Sequence, residues 1–453
     1  MRYIWIDSLC IFQDADDKSD WNLEASRMEK VYLHGLLNIS ATGAEDSSKG
    51  LFQRRNGELQ LRRLLLTCSK PAMKNSPRSE PTTYVLDDLL LIRDSIHNAP
   101  LSRRAWVLQE RFLSARVLHF ARDQVFWECG EGIVCERYPE QLPPKLAGRI
   151  DSKSFKSYET RFFGLLDKSS ELKAFISSDQ GKYTLLERWR EVIRAYSNTD
   201  ISFHSDRVIA IAGVAAALGE IFEEEYIIGM WRCKLEGQLL WSVYRRLSDA
   251  ADKAQRPSTY RAPSWSWLSV EGGEISLVAC SWKMLHFEVL DLSLKHGAQG
   301  QMGLVTDGSI TLRGHLRAFY MRRERFRHNS RAYWAMTMDS APINVTIQLD
   351  IEPSDDVIGG RNIALHLLLG GTMHKHEVSQ HAMHIMLLLR CVDQCAGVFE
   401  RIGTASFNVA DVTEDGARGQ EAWHRLNKKV VDAASYPCVA YDGDADLHTI
   451  IVK

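Results

Sequence analysis

The residues best suited to chemistry are carboxylates set beside tryptophans. Asp7 closes the run YIWID, Glu24 follows Trp21 in WNLE, and Glu110 lies past Trp106 in RAWVLQERFL. A carboxylate at the carboxyl end of a parallel strand can hold a ribose hydroxyl or orient a substrate, because ligands of open α/β sheets gather there. The same Asp7 can simply cap the turn after its strand. Glu24, next to the Trp21 ring, can stabilise a developing cation or act as a base. Its alternative is the ordinary work of an acid in a first helical turn. Glu110 sits at the edge of an apolar arc made by Ala105, Trp106, Leu108, Phe112 and Leu113, and a catalytic role is one reading of it. Gln109 falls inside that arc, so its amide needs partners and should tie the helix to a sheet. Arg103 and Arg104 can hold a carboxylate or phosphate, or face solvent at the helix start.

Other constellations are weaker. The phosphate loops G-x-x-x-x-G-K-[ST] and G-x-G-x-x-G are missing, as are G-x-S-x-G and H-E-x-x-H. Aligning Asp14 to the first position of a calcium loop puts Lys18 fifth and Ser19 sixth, without the required glycine and final glutamate. His374, His376, His381 and His384 have a spacing that can bind zinc or nickel, but nothing around them completes a set, and no metal site is expected. Trp265 and Trp267 alternate with serines in SWSWLS. On a strand both indoles would share one face, to stack a ligand base or to be buried between a helical and a β region.

These groups need a scaffold. A chain of 453 residues exceeds one ordinary core. Its formal net charge of -2, with both signs interspersed, gives no support to nucleic-acid binding. The longest apolar run, residues 208–219, is too short to span a bilayer and reads as a buried helix. No secretory leader pattern opens the chain. Nine irregularly spaced cysteines read as reduced thiols, which points to the cytoplasm. Tyr3–Asp7 reads as a strand covered on both faces, residues 21–36 as one helix, and Leu37–Ala41 as a parallel strand completing a βαβ unit. Residues 103–114 read as a helix, and RVLHFA with QVFWEC as a hairpin. The next stretch is helical, with an apolar stripe at Leu185, Trp189, Val192, Ile193 and Tyr196 and a further helix over residues 238–244. Past Pro263 short strands dominate. The expected division is an α/β module at 1–137, a helical region at 138–262 and a β-rich region at 263–453.

The motifs add up to a family resemblance. YIWIDSLCIFQDADDKSDWNLEASRMEKVY, continued by NISATGAEDSSKGLFQRR, resembles the second signature of the fungal heterokaryon-incompatibility (HET) domain. RAWVLQERFLSARVLHF and FWEC look like its third. DRVIAIAGVA, YIIGMW, LLW and YRAPSWSWLS are similar to the region that follows the domain, and GVFERIGTASF to a stretch near the C-terminal end. The first signature, of the type YxALSYxWG, is missing ahead of Tyr3, so the chain looks N-terminally truncated relative to the family, with a sheet edge exposed.

The resemblance implies nonself recognition between fungal strains and cell-death signalling, through assembly with HET-family proteins or with itself. It also implies an incomplete TIR-like, flavodoxin-like α/β module. Some TIR domains cleave NAD, and Trp21–Glu24 looks like the W-x-x-E segment that carries their glutamate. NAD is then a possible substrate, with no cofactor established. Glu24 would stabilise the oxocarbenium-like ribose, with Asp7 and Trp21 in the ligand site. The alternatives are that NAD hydrolase, or an inactive remnant that regulates intact relatives.

Overall fold

A computed structural model describes residues 2–12, 17, 19–52, 54–55, 64–68, 82–86, 88–144, 146, 170–201, 203–244, 254–277, 284–297, 304–325, 332–338, 341–352, 365–374, 382–408, 418–429 and 433–453. The chain forms two compact units. One comprises Met1–Ala174 with Thr199–Ser202, the other Phe175–Asn198 with Phe203–Lys453.

The first unit has mixed α/β content. Its helices are α1 (Asp7–Cys10), α2 (Ser19–Ala25), α3 (Met28–His34) and α4 (Ala105–Leu113). Its strands are β1 (Asn38–Ser40), β2 (Leu64–Cys68), β3 (Thr82–Leu86), β4 (Arg116–Phe120), β5 (Val125–Cys129) and β6 (Gly132–Cys135). Among the described residues β1, β4, β5 and β6 form one sheet in that order, while β2 and β3 pair with each other. β1 runs parallel to β4, with Asn38 opposite Val117, and the hairpin β4–β5 is antiparallel as its alternation predicts. Phe126, Ile133 and Tyr138 pack with Ile96 and Ala121 into the core beneath the sheet.

Two expectations are corrected here. Tyr3–Asp7 is not a strand: it is exposed, with Tyr3 at 90% and Ile4 at 77%, and the parallel neighbour of β1 is β4. An apolar run becomes a strand only where a ladder receives its amides. Here Ile6 instead heads α1, and the Trp5 ring packs edge-on against Tyr32. The helix expected over residues 21–36 is broken between Ala25 and Met28. Ser26 Oγ donates to the Leu23 carbonyl, a local bond that competes with the helical ladder.

In the second unit, α5 (Asp179–Ser197) is capped by Ser178, whose hydroxyl accepts from the Gly181 amide at 3.1 Å. Its predicted stripe is buried throughout. α6 (Arg207–Phe222) is apolar on nearly every face and buried accordingly. No helix among the described residues is long and apolar enough to cross a membrane. The helix predicted over residues 238–244 ends at Gln238. Ser242–Tyr244 is a strand paired with Glu274–Ser276, because its inward phase is set by that ladder. The region beyond Pro263 is β-rich. Among the described residues twelve strands join in one sheet, including the long Leu365–His374, Ala382–Asp393 and Val398–Asn408.

SWSWLS is not a strand. Trp267–Ser269 form one 3-10 turn, and both indoles are buried. Trp189 and Trp267 each donate their indole N–H to the Gly229 carbonyl, at 2.8 and 2.6 Å. The Gly229 backbone is left-handed, at φ +96°, and a Cβ there would sit 2.8 Å from Trp267 Nε1. A second anchor is Arg401, fully buried against Asp350, with its guanidinium 3.5 Å above the Trp241 ring. Arg401 also donates to the Leu239 and Trp241 carbonyls, so most of its N–H groups are satisfied. Gly229→Ala should destabilise the second unit by about 1–3 kcal/mol from backbone strain alone, with more from the indole clash. Urea unfolding followed by tryptophan emission measures it.

Candidate functional site

The first unit brings two of the sequence-flagged carboxylates together. Glu110 projects from α4 toward α3, where its carboxylate and the Tyr32 phenol act on one another. Its backbone carbonyl is pinned as well, accepting from Asn38 Nδ2 at 3.3 Å and from Ser114 Oγ at 2.6 Å. Asp7 heads α1 and lies close enough to act on both Glu110 and Tyr32. Arg104, at the entrance to α4, acts on them with the opposite sign. Burial is the largest influence on Glu110. With the Asp7 charge added, it outweighs the opposing influences of Tyr32 and Arg104, and the carboxyl is pushed up to about 7. Burial also raises the Tyr32 phenol well above its ordinary value, with Glu110 reinforcing the shift. The site therefore holds a carboxyl that can gain or lose a proton near neutrality, a requirement for general acid–base work.

Asp7 also does the local work expected of it, since its Oδ1 accepts from the Ser8 amide at 2.7 Å. Trp21 meets Trp106 edge-to-face, with ring centroids 6.0 Å apart. Glu24 turns to Arg27 in an ion pair of 3.0 Å. It stands in the last turn of α2 rather than the first, so the helix dipole does not favour its charge. The first-turn acid is Asp20, which accepts from the Phe12 amide at 2.8 Å. The acidic turn at 13–16 lies outside the described residues, as do His376 and His381. His384 is buried, bonds to Thr372 through Nδ1 at 2.9 Å and stacks on Trp423. Gln109 is buried as its position in the apolar arc requires.

A polar chain that the sequence reading missed runs through the core of this unit. Arg111 grips Glu128 with two hydrogen bonds of 2.8 and 2.9 Å, and its third nitrogen donates to His97 Nδ1 at 3.2 Å. Glu128 also meets His119 Nε2 at 2.9 Å, while His119 Nδ1 meets the Thr42 hydroxyl at 2.9 Å. Ser40 Oγ lies 2.9 Å from Thr42 Oγ1. An ionised Glu128 can only accept, so His119 Nε2 carries a proton. The Thr42 hydroxyl lies between His119 Nδ1 and Ser40. Glu128 and Thr42 have no exposed surface and His119 has 2%, so the chain links β1, α4, β4 and β5 and has no open face for a substrate. The signal was available in VFWEC, where Glu128 shares its strand phase with the core residue Phe126.

Comparison with known families places these features. Residues 1–110 match the family described as Heterokaryon incompatibility protein (HET). No curated protein and no solved structure matches the chain. Asp7, Trp21, Glu24, Tyr32 and Glu110 all fall within the matched stretch, and Arg111, His119 and Glu128 lie just past it.

Two outcomes follow from this geometry. Between the ordinary carboxylate range and about 7, the unfolded chain has released a proton that native Glu110 still holds. Wild-type stability therefore falls as pH rises through that window and levels off above it. Glu110→Gln should remove the fall, so that the variant gains on wild type by up to about 3 kcal/mol between pH 5 and pH 8, measured by urea unfolding at each pH. Glu128→Ala strands the Arg111 charge and should cost about 3–5 kcal/mol in the same assay.

Proposed function

We propose that this HET-domain protein acts in fungal nonself recognition and cell-death signalling, in the cytoplasm, by protein–protein assembly. The observation that carries the reading is the HET family match over residues 1–110. The surface of that stretch supports it. Leu9 is 78% exposed, Phe12 66% and Leu36 62%, alongside Tyr3 and Ile4, and large exposed apolar groups commonly mark interaction sites. We read the α/β unit as a TIR- or flavodoxin-like module, on the strength of the parallel β1–β4 pair and the packing of α3 on α4. Within this reading, residues 1–137 form the signalling domain, 138–262 a helical region and 263–453 a β-rich region.

A second reading is NAD hydrolysis, with Glu24 as the key carboxylate, Asp7 as a ribose contact and Trp21 beside the ligand. The edge-to-face meeting of Trp21 with Trp106, one helical turn before Glu110 on α4, favours it. Within it, Glu110 is better placed to exchange a proton than Glu24, which is paired with Arg27.

Overexpression in a fungal host should arrest growth or block hyphal fusion, and Leu9→Asp should relieve that effect. Unaltered growth and fusion with the intact protein accumulating would sink the assembly reading. Incubation of the purified chain with NAD, with and without Glu24→Ala, tests the second: nicotinamide release that survives the substitution removes Glu24 from the role.

A further inference from the structure

The helix α6 opens on a cation that the surrounding fold does not neutralise. Arg207, its first residue, is 5% exposed. Its Nε is enclosed without a hydrogen-bond partner, and among the described residues no carboxylate pairs with the guanidinium. The Tyr196 ring lies under it, with Arg207 Cζ 5.4 Å from the centroid, and supplies a π face but no anion. The Tyr196 hydroxyl is committed elsewhere, donating to the Arg207 carbonyl at 2.6 Å. A second buried guanidinium stands at the same helix start. The His204 carbonyl accepts from the Arg207 amide and, at 3.4 Å, from Arg261 Nη1. Arg261 is held by the Leu268 and Val270 carbonyls and by Glu271 at 3.2 Å. Glu271 also meets His204 Nδ1 at 2.5 Å. The Asp206 side chain does not cap α6; its Oδ1 accepts from Ser205 Oγ at 3.0 Å.

We propose that Arg207, Arg261 and the first turn of α6 form a binding site for a phosphate group, which supplies the anion that buried Arg207 lacks. A buried cation without a counter-charge is costly, and like charge from Arg261 adds to the cost. The positive end of a helix favours an anion at the same place. Phosphate suits this donor set better than a carboxylate. Two of its oxygens match the planar guanidinium fork, and a third remains for the helix amides. The His204 side chain, 63% exposed, borders the site and gives it a route to solvent. The phosphate is therefore either the free ion or the ester group of a small molecule. All these residues belong to the second unit, and the inference holds whether or not the chain acts in nonself recognition.

Phosphorus NMR relaxation of inorganic phosphate, titrated with the full chain at constant ionic strength, tests the site. A binding signal is preferred to a melting curve because phosphate stabilises any fold by exclusion from its surface. The wild-type chain should bind saturably, and acetate should not compete. Arg207→Met keeps the length and apolar stem of the side chain, and affinity should fall roughly tenfold or more. Methyl phosphate as competitor separates the sources: competition assigns the site to phosphate esters, and exclusion assigns it to the free ion. Absence of saturable binding by the folded wild-type chain overturns the proposal, as does unchanged affinity in Arg207→Met or competition by acetate. Should Arg207→Met fail to fold, amide exchange of the wild-type chain decides alone. Phosphate should slow exchange in the first turn of α6, and unchanged exchange there overturns the proposal.

Discussion

A carboxylate without access to water, Glu128, organises the first unit. Removing a charge from water costs several kcal/mol, and only matched partners offset it. Arg111 supplies two parallel N–H donors and His119 a third. Because those partners come from α4 and β4, the helix and hairpin have one acceptable arrangement around β5. A slip of one residue between β4 and β5 would turn Glu128 to the other face of the sheet and leave Arg111 unmatched. The chain of bonds continues through His119 to Thr42 and Ser40, so the parallel β1–β4 pairing is tied to the same charge.

Glu110 is the neighbour of Arg111 in sequence, and its situation is the reverse. A step of one residue along a helix turns the side chain by about 100°, so Glu110 faces α3 while Arg111 faces the sheet. On that side the main influence favouring its charge is the Tyr32 phenol, which is neutral. That neutral group does not offset the loss of solvation, and the Asp7 charge adds to the deficit, so the carboxyl holds its proton more tightly. One helix thus carries a carboxyl that stays protonated near neutrality and a cation that keeps another carboxylate ionised. Both lie in the segment RAWVLQERFL.

The second unit repeats the logic with tryptophan. Arg401 and Asp350 are wholly enclosed, and the Trp241 face completes the guanidinium's surroundings. Motifs that look like ligand platforms are consumed by backbone. The Trp267 indole of SWSWLS and the Trp189 indole of α5 converge on one carbonyl, that of Gly229 in YIIGMW. Their spacing in sequence reflects a glycine-dependent turn that two indoles close over, rather than a stacked ligand.

Much of this architecture was legible in the residues. The α6 run, the α5 stripe, the β4–β5 hairpin, the β-rich region past Pro263 and the buried Gln109 follow from periodicity, which depends only on local geometry and the preference of apolar side chains for the interior. The resemblance that the family match over residues 1–110 bears out was legible for the same reason, since its motifs are contiguous in the chain. What only the tertiary structure decided were the pairings between distant residues. Tyr3–Asp7 has strand composition but lacks a ladder, because whether a strand forms depends on its neighbour as well as its own side chains. Glu24 and Glu110 look alike in sequence. One pairs with Arg27, and the other is under the influence of Tyr32 and Asp7, because the surroundings of a carboxyl are set by the groups that folding brings around it.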